Sequence, residues 1–268
     1  MKFGVIIIGD EILSGKRSDK HLAKAIELLG ARGLPLAYAH YVGDDPERIT
    51  TTLAAAFASG DTVFSFGGIG ATPDDHTRQC AANALGKELA LSDAARALIV
   101  ERMQDVAREQ GTAFEPDRPD NVHRLQMGMF PAGASIIPNP YNKIPGFSHP
   151  GVGQGVVHFV PGFPVMAWPM VEWVLDTHCS AWFQTGAWRE QSVIVFGAME
   201  SLLTPLMEQL EQRHPVKVFS LPSVDHPQYG KHIELGVKGQ PEALPAAYAE
   251  MLDGLRKLEM PLGPELVR

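Results

Sequence analysis

The chain has 268 residues, 45% hydrophobic and 20% charged, which fits one large globular domain or two and argues against a disordered or low-complexity protein. A formal net charge of −8 and a pI near 5.7 suit no protein that must hold a nucleic-acid backbone, so nucleic acid is not an expected partner. Two cysteines, Cys80 and Cys179, stand far apart without metal-type spacing, which argues against a disulfide framework and for a reducing cytoplasm.

The opening MKFGVIIIGDEIL turns acidic too soon for a signal peptide. Its apolar run over Lys2–Ile8 predicts a strand buried on both faces. Leu22, Ala25, Ile26 and Leu29 give a helical period over Lys20–Arg32, closed by Gly33. A second strand is expected over Leu34–Val42, then a helix from Pro46 to about Ala58 with Asp45 as N-cap, then a third strand over Asp61–Phe66. Helices follow over Asp74–Leu85 and Ser92–Gln110, and strands over Ala134–Ile137 and Gly155–Val160 flank a loop, NPYNKIPGFSHPGVG. The apolar stretch Val156–Leu175 carries His158, Glu172, Pro161, Pro164 and Pro169, which predicts a strand turning into a core helix (Pro164–Phe183) rather than a membrane span. Alternation of this kind predicts a three-layer, mainly parallel α/β domain over residues 1–185.

The pattern resets near Gln184–Glu190. Strands at Ser192–Phe196, Val216–Leu221 and His232–Val237, with helices at Ser201–Gln212 and Glu242–Leu258, predict a small α+β domain of βαββα order over residues 190–268. It lacks a GxxG clamp in a basic setting, so RNA is not expected there.

The third strand runs into Gly67-Gly68-Ile69-Gly70, and glycine is the costliest residue to order. A glycine-rich turn between a parallel strand and a helix is where α/β proteins hold ligands, with backbone N–H groups free to face a phosphate. Thr72-Pro73-Asp74-Asp75 also fits a capping box, Thr72 as N-cap and Asp75 at N3, which accounts for Thr72 and one acid but leaves the glycines unexplained. No GKS/T and no GxGxxG is present, so the turn is neither a Walker loop nor a dinucleotide fingerprint. Gly9-Asp10-Glu11 follows the first strand and Gly43-Asp44-Asp45 the second; their acids suit a hard cation or a hydroxyl-rich ligand, or else simply cap the next helix. Lys16, Arg17 and Arg78 are candidates to balance ligand phosphates or are plain solvated side chains. His178-Cys179 is not spaced for a metal, and Ser65 lacks the elbow of serine hydrolases.

In this order, GDEILSG, VGDDPERI, GGIGATPDDHT, NPYNKIPG and PGFP closely resemble the molybdopterin-binding (MoaB/Mog) domain family, and within it the CinA-type branch, over about residues 1–180. The resemblance implies that Gly67, Gly68 and Gly70 line a phosphate or pterin pocket, joined by Gly9, Asp10, Glu11, Thr72, Asn139, Pro140, Gly146 and Gly162. It implies that Asp75, in an Asp-x-Thr pattern with Thr77, and Asp44 hold a divalent cation (Mg, Mn or Co) and act in catalysis. The ligand would be molybdopterin or a nucleotide, and the reaction ADP-ribose pyrophosphatase-like hydrolysis or adenylyl transfer; a non-catalytic binder is the alternative. Asn142 and Ile144 stand where the family has glycine and alanine, Met166-Ala167 where it has Glu-Met, and Lys20-His21 where it has Thr-Asn. The sequence stops before the deamidase domain of longer CinA-type proteins, so nicotinamide-mononucleotide deamidation is not expected. Homo-oligomers are expected, with Trp168, Trp173, Trp182 and Trp188 as candidate interface aromatics.

Overall fold

Strand β1 (Phe3–Ile8) is buried along its whole length because both its faces are covered. Phe3, Val5 and Ile7 join one apolar cluster and Ile6 and Ile8 another, the period-2 alternation of a strand between two helix layers. The computed structural model describes residues 2–184 and 189–267. They divide into two units, Met1–Phe183 and Gln184–Arg268.

After β1 come α1 (Asp10–Leu13), α2 (His21–Gly30), β2 (Leu36–Val42), α3 (Pro46–Ala58), β3 (Thr62–Phe66) and α4 (Thr77–Leu85). An excursion follows, with β4 (Leu89–Leu91), α5 (Asp93–Glu109), α6 (Pro119–Arg124) and β5 (Met129–Pro131), in which β4 and β5 pair antiparallel. The chain then adds β6 (Ser135–Ile137), β7 (Gly146–Pro150), β8 (Val156–Val160) and α7 (Pro164–His178). The sheet order is β2-β1-β3-β8-β7-β6, with β1, β2, β3 and β8 parallel and β7 antiparallel to both neighbours. One face packs α2 and α7 residues, the other α3, α4 and α5 residues around a stack in which the Phe147 and Phe159 rings lie 4.3 Å apart. No helix among the described residues is long and apolar enough to cross a membrane.

Several sequence expectations need correction. The loop NPYNKIPGFSHPGVG contains β7, whose glycine, serine, histidine and proline disguise a strand with Gly146 to His149 all buried. Gly146 serves that strand: a Cβ there would run into the Phe159 carbonyl on β8. Helix α4 begins at Thr77, not Asp74, because the Thr77 N–H donates to the Gly68 carbonyl at 3.0 Å, outside the helix. Three of the four tryptophans, Trp168, Trp173 and Trp182, are partly buried against the α2–α7 cluster, so core packing already explains them; Trp188 lies outside the described residues.

The second unit comprises β9 (Arg189–Phe196), α8 (Glu200–Arg213), β10 (Val216–His226), β11 (Gly230–Gly239), α9 (Leu244–Lys257) and β12 (Leu262–Val267). The expected βαββα order therefore gains a sixth element, β12, which pairs with β9 in an antiparallel sheet ordered β10-β11-β9-β12. Gly263, Pro264 and Glu265 hide this edge strand in sequence. Glu250 on α9 ties the helices together, accepting from Gln209 and Arg213 of α8 and meeting His214, each at 2.8 Å. These partners, His214 foremost, hold its carboxyl at about 2 against an ordinary 4.5. A depressed folded value contributes stability above the unfolded value and loses it as pH falls through the folded one. Thermal melts across that interval are expected to show the wild type losing stability from pH 4.5 down to about 2, and Glu250→Gln losing less.

Candidate functional site

The C-terminal ends of the four parallel strands point one way, and the turns leaving them share one cleft. Gly9 and Glu11 follow β1, Asp44 follows β2, Gly67 to Thr72 follow β3, and Pro161 to Phe163 follow β8; all line a cleft of about 750 Å³. It opens where the chain order reverses, β2 lying to one side of β1 and β3 to the other, the usual ligand position in open α/β sheets.

The glycine turn is shaped by close approach. Gly67 has φ +98, and a Cβ there would strike the Ile8 carbonyl at the end of β1. Its N–H donates to the Val160 carbonyl of β8 at 3.0 Å, so three strand ends are gathered at one residue. Gly68, with φ +69, sits against the hydroxyl of buried Thr77, which donates to the Gly67 carbonyl at 3.1 Å. Gly70 backs onto the Asp75 carboxylate, where a Cβ would come within 2.5 Å of Oδ2.

The acids are held by backbone. Asp10 N–H donates to Asp44 Oδ2 at 2.9 Å, and Asp44 N–H donates to Asp10 Oδ1 at 3.1 Å, clasping the turn after β1 to the turn after β2. Neither Asp10 nor Glu11 caps α1, whose N-cap is Gly9 and which has no side-chain cap. Burial, then the nearby carboxylates of Asp10, Glu11 and Asp74, push the Asp44 carboxyl up. Asp75 Oδ2 accepts from the Thr72 N–H at 2.8 Å and its hydroxyl at 2.5 Å, in a turn that precedes α4. Half of the expected capping box is thus present, but it closes the glycine turn instead of opening the helix. Asp45 does cap α3, accepting from the Arg48 N–H at 2.8 Å.

Of the residues singled out in the sequence, Gly9, Glu11, Asp44, Gly67, Gly68, Gly70, Thr72, Asp75, Asn139 and Gly162 line the cleft. Exposed Asp10 and buried Thr77 lie outside the lining and hold Asp44 and the glycine carbonyls. Pro140 is exposed outside the lining, and Gly146 belongs to β7. Lys16 and Arg17 are exposed and line the cleft, whereas Arg78 is not available to a phosphate. The residue is 3% exposed, and its guanidinium donates to the Ile69 carbonyl beneath the turn and is pulled down to about 10 by burial. Sequence reasoning picked out Met166 only as a departure from the family's motif and missed the rest of the apolar lining, Met127 among it, because single apolar side chains at loop ends carry no pattern.

No group of three or more His, Cys, Asp or Glu side chains placed to hold a metal exists among the described residues. Asp44 and Asp75 both line the cleft, and carboxylates are the donor type of a hard cation such as magnesium, which takes one or two of them and completes its shell from water and ligand phosphates.

Residues 4–178 match the model of a family described as probable molybdopterin-binding domain. The chain belongs to the molybdopterin-binding domain family. A CinA-like protein of Citrifermentans bemidjiense is 32% identical over 208 residues, covering 78% of this chain and 47% of that protein. A CinA-like protein of Geobacter metallireducens is 29% identical over 268 residues, covering 100% of this chain and 61% of that protein. The chain therefore spans roughly half of the length of the curated relatives it matches. Among solved structures, CinA of unknown function from Thermoplasma acidophilum aligns with a TM-score of 0.55 at 27% identity, covering 66% of this chain and 98% of that one. The molybdopterin-binding domain match ends within the first unit, at the last residue of α7.

The cradle explanation for the glycines is measurable. Gly68→Ala meets both a left-handed backbone and the Thr77 hydroxyl, while Gly111→Ala has a similar φ of +66 and nothing within 4 Å. By denaturant unfolding, Gly111→Ala is expected to cost about 1 kcal/mol and Gly68→Ala about 2–3 kcal/mol.

Proposed function

We propose that the cleft binds a phosphate-bearing pterin or nucleotide as its complex with a divalent cation and hydrolyses a phosphoanhydride such as that of ADP-ribose. One observation carries the reading: glycine backbone, four carboxylates and an apolar wall meet in a single cleft at the ends of the parallel strands. Gly68 and Gly70 line the cleft and would turn backbone toward the phosphates, whereas the Gly67 N–H is already given to the Val160 carbonyl. Asp44 and Asp75 would hold Mg²⁺, Mn²⁺ or Co²⁺, which when bound clamps phosphate oxygens and polarises the phosphorus under attack. Lys16 and Arg17 offset the remaining charge, and the apolar lining faces the ring of the ligand; the Asn139 amide, bonded to Asn142, Ile144 and Tyr141, shapes the loop beside it. Water adds to phosphorus, the bridging P–O bond breaks, and ADP-ribose yields AMP and ribose 5-phosphate.

A second reading has its own observation. Both acids already accept backbone N–H groups, Asp44 from Asp10 and Asp75 from Thr72, so each has a structural role that needs no metal. In that case the domain binds molybdopterin or a nucleotide without turnover.

Incubation with each cation and ADP-ribose, and separately with ATP and molybdopterin, decides between them. Hydrolysis predicts AMP release that falls at least a hundredfold in Asp44→Asn and Asp75→Asn, the order of loss when a group essential to phosphoryl transfer is removed. Tight binding with no turnover under any cation hands the case to the binder. The raised Asp44 carboxyl adds a pH test: cation-supported binding is expected to fade on acidification from above the ordinary carboxylate value of 3.8, and less steeply in Asp44→Asn.

A further inference from the structure

One wall of the cleft is the loop after β6. Asn139, Asn142, Ile144 and Pro145 all line it. The loop is well bonded within itself: Tyr141 N–H donates to Asn139 Oδ1 at 3.0 Å, and Ile144 N–H donates to Asn142 Oδ1 at 3.1 Å. It is also tied outward in two directions. Asn142 Nδ2 donates to the Met166 sulfur on α7 at 3.3 Å. Lys143 Nζ bridges Glu101 Oε1 at 2.6 Å and Asp105 Oδ2 at 2.5 Å, both on α5.

Lys143 has φ +65, a left-handed conformation shared among described non-glycine residues only by Glu259. A glycine would adopt that backbone without cost, whereas an L side chain opposes it. A lysine there supplies what glycine cannot, a cationic tip that reaches across to α5. It lies between two cleft-lining residues, and its side chain points away from them to the helix. Exposed ion pairs add little to global stability, so the bridge acts where it is attached, on the loop.

We propose that Lys143 is a positioning residue: its double ion pair to α5 anchors the loop and fixes the cleft wall formed by Asn142 and Ile144. The affinity consequence rests on the reading of the cleft as a nucleotide site; the anchoring itself does not.

The test compares Lys143→Met with Lys143→Arg, and with Arg32→Met, which breaks the ion pair from the turn after α2 to Asp176 on α7 at 2.7 Å. In ligand-free protein, hydrogen exchange at the Tyr141 and Ile144 amides is expected to rise about tenfold in Lys143→Met, with α5 unchanged and no such rise in Arg32→Met. Lys143→Arg should restore protection, since it keeps the charge and the reach. By calorimetry with Mg²⁺–ADP-ribose, affinity is expected to drop about 3- to 10-fold in Lys143→Met and to recover in Lys143→Arg. Unchanged loop exchange in Lys143→Met overturns the anchor, whatever the cleft binds. Raised exchange with unaltered affinity overturns the positioning role. If the wild type fails to bind Mg²⁺–ADP-ribose, the nucleotide reading falls, and exchange alone still decides whether the anchor exists.

Discussion

The first unit is organised by a single close approach, that of the Gly67 backbone to the Ile8 carbonyl. No side chain fits between them, and the +98 φ of Gly67 suits no other residue type. Because the same residue donates to Val160, the ends of β1, β3 and β8 are drawn to one point, and the chain can leave β3 in only one direction. Thr77 then secures the turn from below, its hydroxyl on the Gly67 carbonyl and its N–H on the Gly68 carbonyl. The acids after β1 and β2 face this turn as a consequence, since parallel pairing in register with β1 fixes where those strands end.

The parallel part of the fold was legible in the sequence because its determinants are local. Strands covered on two faces read as unbroken apolar runs, as β1 does, and Asp45-Pro46 and Ser92 mark the helix starts that they cap. What was not legible depends on partners distant in sequence. Strand β7 is defined by its neighbours β6 and β8, and Gly146 by a carbonyl on β8. Strand β12 reads as a proline-containing tail until it finds β9. Arg78 looks like a helix-face cation beside a phosphate site, and only the fold shows its guanidinium buried under the Ile69 carbonyl.

Within the candidate site, the acids and glycines were visible as motifs, because each group sits in one short turn. The opposite wall was only partly visible. Asn142 and Ile144 stand out as departures from a motif, but their reason lies in side-chain reach: Asn142 to Met166, and neighbouring Lys143 to α5. Long-range bonds of this kind leave no periodicity behind them.

The acidic wall poses the sharper physical question. Glu11, Asp44, Asp74 and Asp75 line the cleft against two exposed cations, Lys16 and Arg17, so a phosphate entering alone meets net repulsion. On the proposed reading, a divalent cation would reverse that balance, turning acids that repel a free phosphate into ligands that attract its metal complex. The backbone bonds to Asp44 and Asp75 do not compete with this use. A carboxylate offers about four lone-pair sites; the Asp10 N–H takes one on Asp44, and the Thr72 N–H and hydroxyl take two on Asp75, both at Oδ2. These bonds fix the direction of the remaining sites before any ligand arrives, which lowers the ordering cost of binding. The structural role of each acid and its proposed role toward a metal are therefore one arrangement, in which burial first, and the neighbouring carboxylates second, raise the Asp44 carboxyl.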